Sequence, residues 1–371
     1  MISKKNIATI TFHASHNHGS CLQAYALQEF VKKEFSNIDY RIINLRTDRQ
    51  KALYGRPYDS FGAKSLLKRV IFFGYKKKIL TGRENFEKFI NSKLNITKEY
   101  HTLDELKKAH FKYDCYISGS DQLWNHALSD FDWSFFLEFC TGRKISYAAS
   151  FGSKTEEWSD SDIKRARKDL TDYTNISVRE PASADMIRKI IGVEPNINVD
   201  PTLLLEEKEW DRLIGERLIK EEYIFLYDLK GLKRAYDIAQ ELSRRYDLPV
   251  VIVKENSKRH LFYRFIKEYD AGPLEFLNYI KYARFVVSSS FHGTVFSTIF
   301  QKPFLAVDGS TDFRISNLLD KMGIMGRSIS SAEELKGKKD EIFEIDYSLR
   351  DKVIKNEKRR SKEYLRSIME K

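Results

Sequence analysis

The chain has 371 residues, of which 42% are hydrophobic and 32% charged, with a formal net charge of +11 and three cysteines. Such a composition belongs to a soluble globular protein long enough for two domains, and it excludes a disordered or fibrous chain. Cys21, Cys115 and Cys140 are too far apart for a disulfide framework or a compact zinc site, so a reducing, cytoplasmic setting is expected.

The positive charge favours anionic partners such as phosphorylated metabolites, acidic lipid headgroups or nucleic acid. Because the charges are dispersed, with no recognition helix or RNA-binding signature, nucleic acid is not an expected partner. Met1–Asn6 is polar and no apolar run reaches membrane-spanning length, so neither a signal peptide nor a spanning helix is expected.

In chain order, the apolar run 7–12 predicts a strand and Ser20–Glu34 an amphipathic helix, followed by a strand over Tyr40–Leu45. Strands are then predicted over Tyr113–Ser118, Lys144–Ala149, Ile176–Val178 and Ile197–Val199, with a polar helix near Ser159–Thr171 and another after Pro181. Glu206–Lys220 reads as a charged connecting helix. A second series begins with a strand over Tyr223–Leu229, a helix to Tyr246, a strand over Val250–Lys254 and a helix over Pro273–Ala283. It closes on strand Phe285–Val287, helix Thr294–Phe300 and strand Phe304–Val307, before a basic helix from Tyr347 onward. Strands alternating with helices imply mostly parallel sheets with right-handed crossovers. The fold class is therefore α/β, with two Rossmann-like doubly wound domains facing a cleft. The expected limits are 1–205, 206–345 and a closing helix over 346–371 that packs back on the first domain.

Four strand ends carry polar or glycine residues where open α/β sheets bind ligands. In HASHNHGS, Gly19 frees the backbone and Ser20 is placed to cap the next helix, so Asn17, His18 and Gly19 form a candidate phosphate or acceptor loop. His13, His16 and His18 fit no compact zinc spacing, and no metal is expected. In YISGSDQLWN, Gly119 and Ser120 offer turn amides, while Asp121 either caps a turn or holds and deprotonates a hydroxyl. In ISVREPAS, Arg179 either meets a phosphate or carboxylate bidentately or pairs with Glu180 or another acid. In SSSFHGTVFSTIFQKPF, His292 stands beside Gly293 where a strand feeds a helix, either as a satisfied polar residue or as a proton shuttle.

Together NHGSCLQAYAL, GSDQLWN, SYAASFG, SVRE, VDPTLLL, SSSFHGTVFSTIFQKPF and FRISNLL resemble, in order, the motifs of the polysaccharide pyruvyl transferase family. The resemblance covers about Ile7 to Leu319. It implies a GT-B-like fold with the active site between two Rossmann-like domains, and transfer of the enolpyruvyl unit of phosphoenolpyruvate onto two hydroxyls of one sugar as a cyclic ketal. His292 matches the family's catalytic histidine and Arg179 its donor-binding arginine. Ser290, Phe291, Gly293 and Thr294 of the same stretch would complete the donor site. Some family members carry a second donor-binding arginine where this chain has Ser290, which leaves a missing charge to be supplied by Arg314 or a lysine. No cofactor beyond the phosphoenolpyruvate co-substrate is implied, and the implied acceptor is a sugar of a surface polysaccharide or its lipid-linked precursor.

Ser65–Leu80, SLLKRVIFFGYKKKIL, interleaves basic and bulky apolar residues. As a helix it would either rest on the inner face of an anionic membrane or cover the amino-terminal domain. The alternative functions on the same architecture are a nucleotide-sugar glycosyltransferase and a non-catalytic scaffold of polysaccharide assembly.

Overall fold

A computed structural model describes residues 4–54, 73–152, 157–253, 262–344 and 347–369. The chain divides into two compact units, one comprising Met1–Gly55, Ile90–Leu205 and Lys355–Lys371, the other Arg56–Phe89 and Glu206–Ile354.

In the first unit, strands β1 (Lys5–Ile10), β2 (Ile38–Leu45), β3 (Ile96–Tyr100), β4 (Cys115–Ser118), β5 (Arg143–Ser146) and β6 (Tyr173–Asn175) form one sheet in the order β3-β2-β1-β4-β5-β6. Every pairing is parallel. Strands β7 (Ser177–Val178) and β8 (Asn196–Ile197) pair separately. The second unit repeats the pattern with β9 (Ile224–Tyr227), β10 (Val250–Ile252), β11 (Ile266–Lys267), β12 (Phe285–Ser288), β13 (Phe304–Val307) and β14 (Ser328–Ile329), ordered β11-β10-β9-β12-β13-β14. Both orders reverse direction once, between the first and fourth strands of each unit, and that reversal opens the crevice in which doubly wound folds bind ligands.

The central strands are apolar on both faces because helices cover each side. Strand β9, IFLY, and strand β13, FLAV, are buried at every position. Trp124, Phe136, Phe151 and Trp158 pack as an aromatic group in the first unit's core. The final helix, Tyr347–Met369, starts in the second unit, where Arg350 Nη2 donates to Thr298 O (2.7 Å). It ends in the first, where Tyr364 Oη donates to Ser146 O (2.8 Å) and Arg143 Nη1 to Ile368 O (2.8 Å).

Several expected elements shift. The helix expected over Glu206–Lys220 stops at Asp211. Buried Trp210 anchors its only full turn, and beyond Gly215 the backbone bonds to Asn278 instead: its side chain takes Leu218 N–H (3.2 Å) and donates to Glu216 O (2.8 Å). Of the helix expected over 65–80, residues 65–72 lie outside the described residues, and Lys76 opens a helix that runs to Lys93. Strands β3, β6, β11 and β14 went unpredicted, being short and mostly polar.

One carboxyl in the first unit's core is held at a cost. Asp169 closes the helix Asp160–Leu170 at 6% exposure. Burial, reinforced by the Glu138 carboxylate, pushes it up to about 6 against the pull of Lys144, Arg165 and Lys168. Its folded pKa thus exceeds the unfolded value, so the penalty is absent below about pH 4 and grows as pH rises to about 6. Asp169→Asn is expected to add about 2 kcal/mol of stability at pH 7 and almost none at pH 4. Urea unfolding at the two pH values checks this, and an equal change at both would contradict it.

Candidate functional site

At the carboxyl edge of the first sheet, the segments after β1 and β4 lie side by side, because those strands pair from Ile7↔Cys115 to Ile10↔Ser118. Gly119 is required there: a Cβ would come within 2.8 Å of Thr9 Cγ2 and 3.1 Å of Thr11 Cβ. Asp121 follows with φ +79°, a conformation that Asp tolerates better than most residues. Its Oδ2 accepts from Ser20 Oγ (2.6 Å) and its Oδ1 from Gln122 N (2.9 Å). Ser20 is therefore not the helix cap. Asn17 is, accepting from Gly19 N (3.0 Å) and Ser20 N (3.4 Å), so the helix starts at His18 and the Ser20 hydroxyl is released toward Asp121. Those two amides, expected to meet an anion, are already served by Asn17.

Arg179, just past β7, is buried with Asp121, Glu180 and Asp200 around it. Its Nη1 donates to Asp200 Oδ2 (2.9 Å) and lies 3.7 Å from Asp121 Oδ1, while Nε donates to Glu180 Oε2 (3.3 Å). The ion-pair alternative describes these surroundings. Burial alone lowers its pKa, but Glu180, Asp200 and Asp121 outweigh burial and hold the guanidinium above its ordinary value. Asp200 also caps its own turn through Thr202 N (3.0 Å) and Thr202 Oγ1 (2.7 Å), and Ser120 Oγ donates to it at 3.5 Å. Glu180 is the partner that the ion-pair alternative named, whereas Asp200 was not singled out in the sequence; the Asp-Pro of VDPTLLL, an acid before a first-turn proline, was the available signal.

His13 is bonded at both ring nitrogens, to Thr11 O (3.1 Å) and Asn44 Oδ1 (2.9 Å). His16 packs on the Tyr54 ring, 5.9 Å between centroids, and His18 is buried in the first helical turn. Among the described residues no three His, Cys, Asp or Glu side chains gather as a metal group.

The second unit's edge is built from β9, β12 and β13, which are adjacent and in register through Tyr227↔Ser288 and Ser288↔Ala306. The helix after β12 begins at Phe291, three residues before the expected start, so His292 is its second residue and Ser290 its cap position. His292 is 6% exposed and its ring meets Phe291 edge-on at 5.3 Å. Gly293 allows the helix to approach the strand end, because a Cβ would collide with Ser288 Oγ and come within 2.9 Å of the Tyr227 ring. Thr294 is fully buried and donates through Oγ1 to Ser290 O (3.0 Å).

Asp228, absent from the sequence reading, clasps the two loops at the strand reversal. It accepts from Ser289 Oγ (2.5 Å), Lys230 N (3.0 Å) and Leu232 N (2.6 Å). After β13, Asp312 caps the helix Phe313–Lys321 and receives the Arg314 fork, Nε at 3.0 Å and Nη2 at 2.7 Å. Although burial alone would raise it, the Arg314 and Lys230 charges hold the Asp312 carboxyl down at about 2. The sequence reading thus yields two residue groups, each within one unit: Asn17, His18, Gly19, Gly119, Ser120, Asp121 and Arg179 in the first, and Ser290, Phe291, His292, Gly293, Thr294 and Arg314 in the second.

A family model described as polysaccharide pyruvyl transferase matches residues 17–311. Among curated proteins no sequence match was found. The structure resembles a putative UDP-N-acetylglucosamine 2-epimerase from Listeria monocytogenes, with TM-score 0.56 and 10% identity over 95% of this chain and 91% of that one. Similar values hold for UDP-N-acetylglucosamine 2-epimerase from Rickettsia bellii (TM-score 0.53, 10% identity, all of both chains). UDP-GlcNAc 2-epimerase from Neisseria meningitidis, solved bound to UDP-GlcNAc, gives TM-score 0.52 and 12% identity over 99% of this chain and 100% of that one. At such identities the likeness concerns the fold, which is of the GT-B type with two Rossmann-like domains. Among the described residues no helix is long and apolar enough to cross a membrane.

Proposed function

Because the chain belongs to the polysaccharide pyruvyl transferase family, we propose that it transfers the pyruvyl group of phosphoenolpyruvate to two hydroxyls of one sugar. The acceptor in this reading belongs to a surface polysaccharide or its lipid-linked precursor, met at the cytoplasmic face of a membrane. The observation that carries the reading is His292, held in the first turn of a helix at the carboxyl edge of a parallel sheet, inside the matched region.

His292 protonates the methylene carbon of phosphoenolpyruvate, and an oxocarbenium-like centre develops at the adjacent carbon. A sugar hydroxyl adds there and gives up its proton, which restores the imidazolium. Phosphate then departs from the same carbon, the second hydroxyl closes the ring, and its proton leaves with the phosphate. Such positioned proton transfer is worth about 10²–10⁴ in rate. Within the first unit, Asp121 is fixed by Ser20 and lies beside Arg179, a carboxylate placed to orient a sugar hydroxyl.

Incubating the purified chain with phosphoenolpyruvate and lipid-linked glycans, then recording glycan mass spectra, tests the reading. The expected result is a pyruvyl ketal on the glycan and one phosphate released per ketal. Release of nucleoside diphosphate from a nucleotide sugar, with phosphoenolpyruvate untouched, would replace it with glycosyl transfer.

A further inference from the structure

A small phosphorylated acid brings a phosphate and a carboxylate that must be neutralised, and Ser290 offers a hydroxyl without charge. The two sheet edges differ sharply in what they offer. In the first unit the guanidinium of Arg179, 3% exposed, is already engaged by Glu180 and Asp200 and lies 3.7 Å from Asp121. A donor phosphate there would have to compete with those carboxylates for the same fork.

In the second unit the order is inverted. Lys230, in the loop after β9, and Arg234, in the first turn of the helix Lys233–Tyr246, each expose 48% of their side chains. The acids beneath them are buried: Asp312 at 7%, 3.5 Å from Lys230 Nζ, and Asp308 at 12%, paired with the Arg234 fork. Arg314 shares Asp312 and is 14% exposed. Asp228 is turned into its own loop by the bonds it accepts from Lys230 N, Leu232 N and Ser289 Oγ. Cations therefore form the outer layer and carboxylates the inner one. Because β9, β12 and β13 are adjacent and in register, this layer belongs to the same sheet edge as Ser290 and His292.

We propose that Lys230 and Arg234 hold the anionic groups of the donor, supplying with Arg314 the charge that Ser290 lacks. The inference rests on the pyruvyl-transfer reading for the identity of that donor. Arg234 keeps one edge of its fork on Asp308 and turns the other to a phosphate oxygen, while Lys230 serves as a mobile point charge. Both are half-exposed, and Arg234→Gln keeps an amide donor near Asp308, so the fold is expected to survive, which thermal unfolding of the double variant checks.

The experiment compares the full chain with Lys230→Gln/Arg234→Gln, measuring kcat and KM for phosphoenolpyruvate and inhibition by inorganic phosphate. The expected result is a rise in donor KM of at least about tenfold, a fall in kcat of less than about threefold, an unchanged acceptor KM and weaker phosphate inhibition. Lys230→Arg should keep the wild-type donor KM. An unchanged donor KM with unchanged phosphate inhibition in the double variant would overturn the inference while leaving pyruvyl transfer in place. A wild-type chain that binds phosphate through these two residues but ignores phosphoenolpyruvate would keep the anion site and overturn the pyruvyl reading instead.

Discussion

His292→Ala is expected to lower kcat by about 10²–10⁴-fold with little change in the KM of either substrate, since it removes the proton donor and leaves the binding groups in place. The imidazole is 6% exposed, so its loss opens a small void, for which a cost of about 1–2 kcal/mol is expected. His292→Gln fills most of that volume and should show the same kinetic loss with less destabilisation. Steady-state kinetics alongside thermal unfolding separate the two effects. A protein with full turnover in either variant would remove His292 from the chemistry and favour a scaffold role for the chain.

Arg179→Ala is expected to cost about 3–5 kcal/mol in the first unit, because it strands the carboxylates of Asp121, Glu180 and Asp200 in a buried site without their cation. For a unit of this size that corresponds to a fall in melting temperature on the order of 10 °C. Arg179→Lys should recover only part of it, because an ammonium cannot reach Glu180 and Asp200 with the same fork. Calorimetry checks both. If Arg179→Ala melted with the wild type and raised only the donor KM, the guanidinium would be a donor ligand and its ion pairs incidental.

The alternation of strands and helices was legible in the sequence because both sheets are parallel, and buried parallel strands show as short apolar runs between turn residues. Strands β9 and β13 were clear for that reason, whereas ITKEY in β3 was not: it pairs at a sheet edge, exposes Lys98 and Glu99, and is recruited by register with β2. The strand orders were not legible at all, since they are decided by contacts distant in sequence. The end of the helix expected over Glu206–Lys220 was hidden for a similar reason, its backbone being captured by Asn278 from another helix.

In the candidate site, His292 could be located from its own neighbours, because a strand, a glycine and a helix surround it within a few residues. Glu180, the next residue, could be named as a partner of Arg179 the same way, but Asp200 could not, as nothing local says which distant acid will reach a buried cation. Asp228 was equally silent, an acid at the end of a strand whose partner Ser289 lies 61 residues on. The Ser20 cap was misread for a physical reason: Asn17 outcompetes it by standing one residue before the helix, where a short amide oxygen reaches two free N–H groups.

The most direct measurement runs the reaction in D₂O with phosphoenolpyruvate and an acceptor glycan, and reads the isotopic composition of the glycan product by mass spectrometry. Protonation of the methylene carbon by an exchangeable group on the protein predicts one deuterium in the ketal methyl and loss of the product in His292→Ala. A product lacking that deuterium, or phosphoenolpyruvate left unconsumed while a sugar is transferred from a nucleotide, would contradict the account.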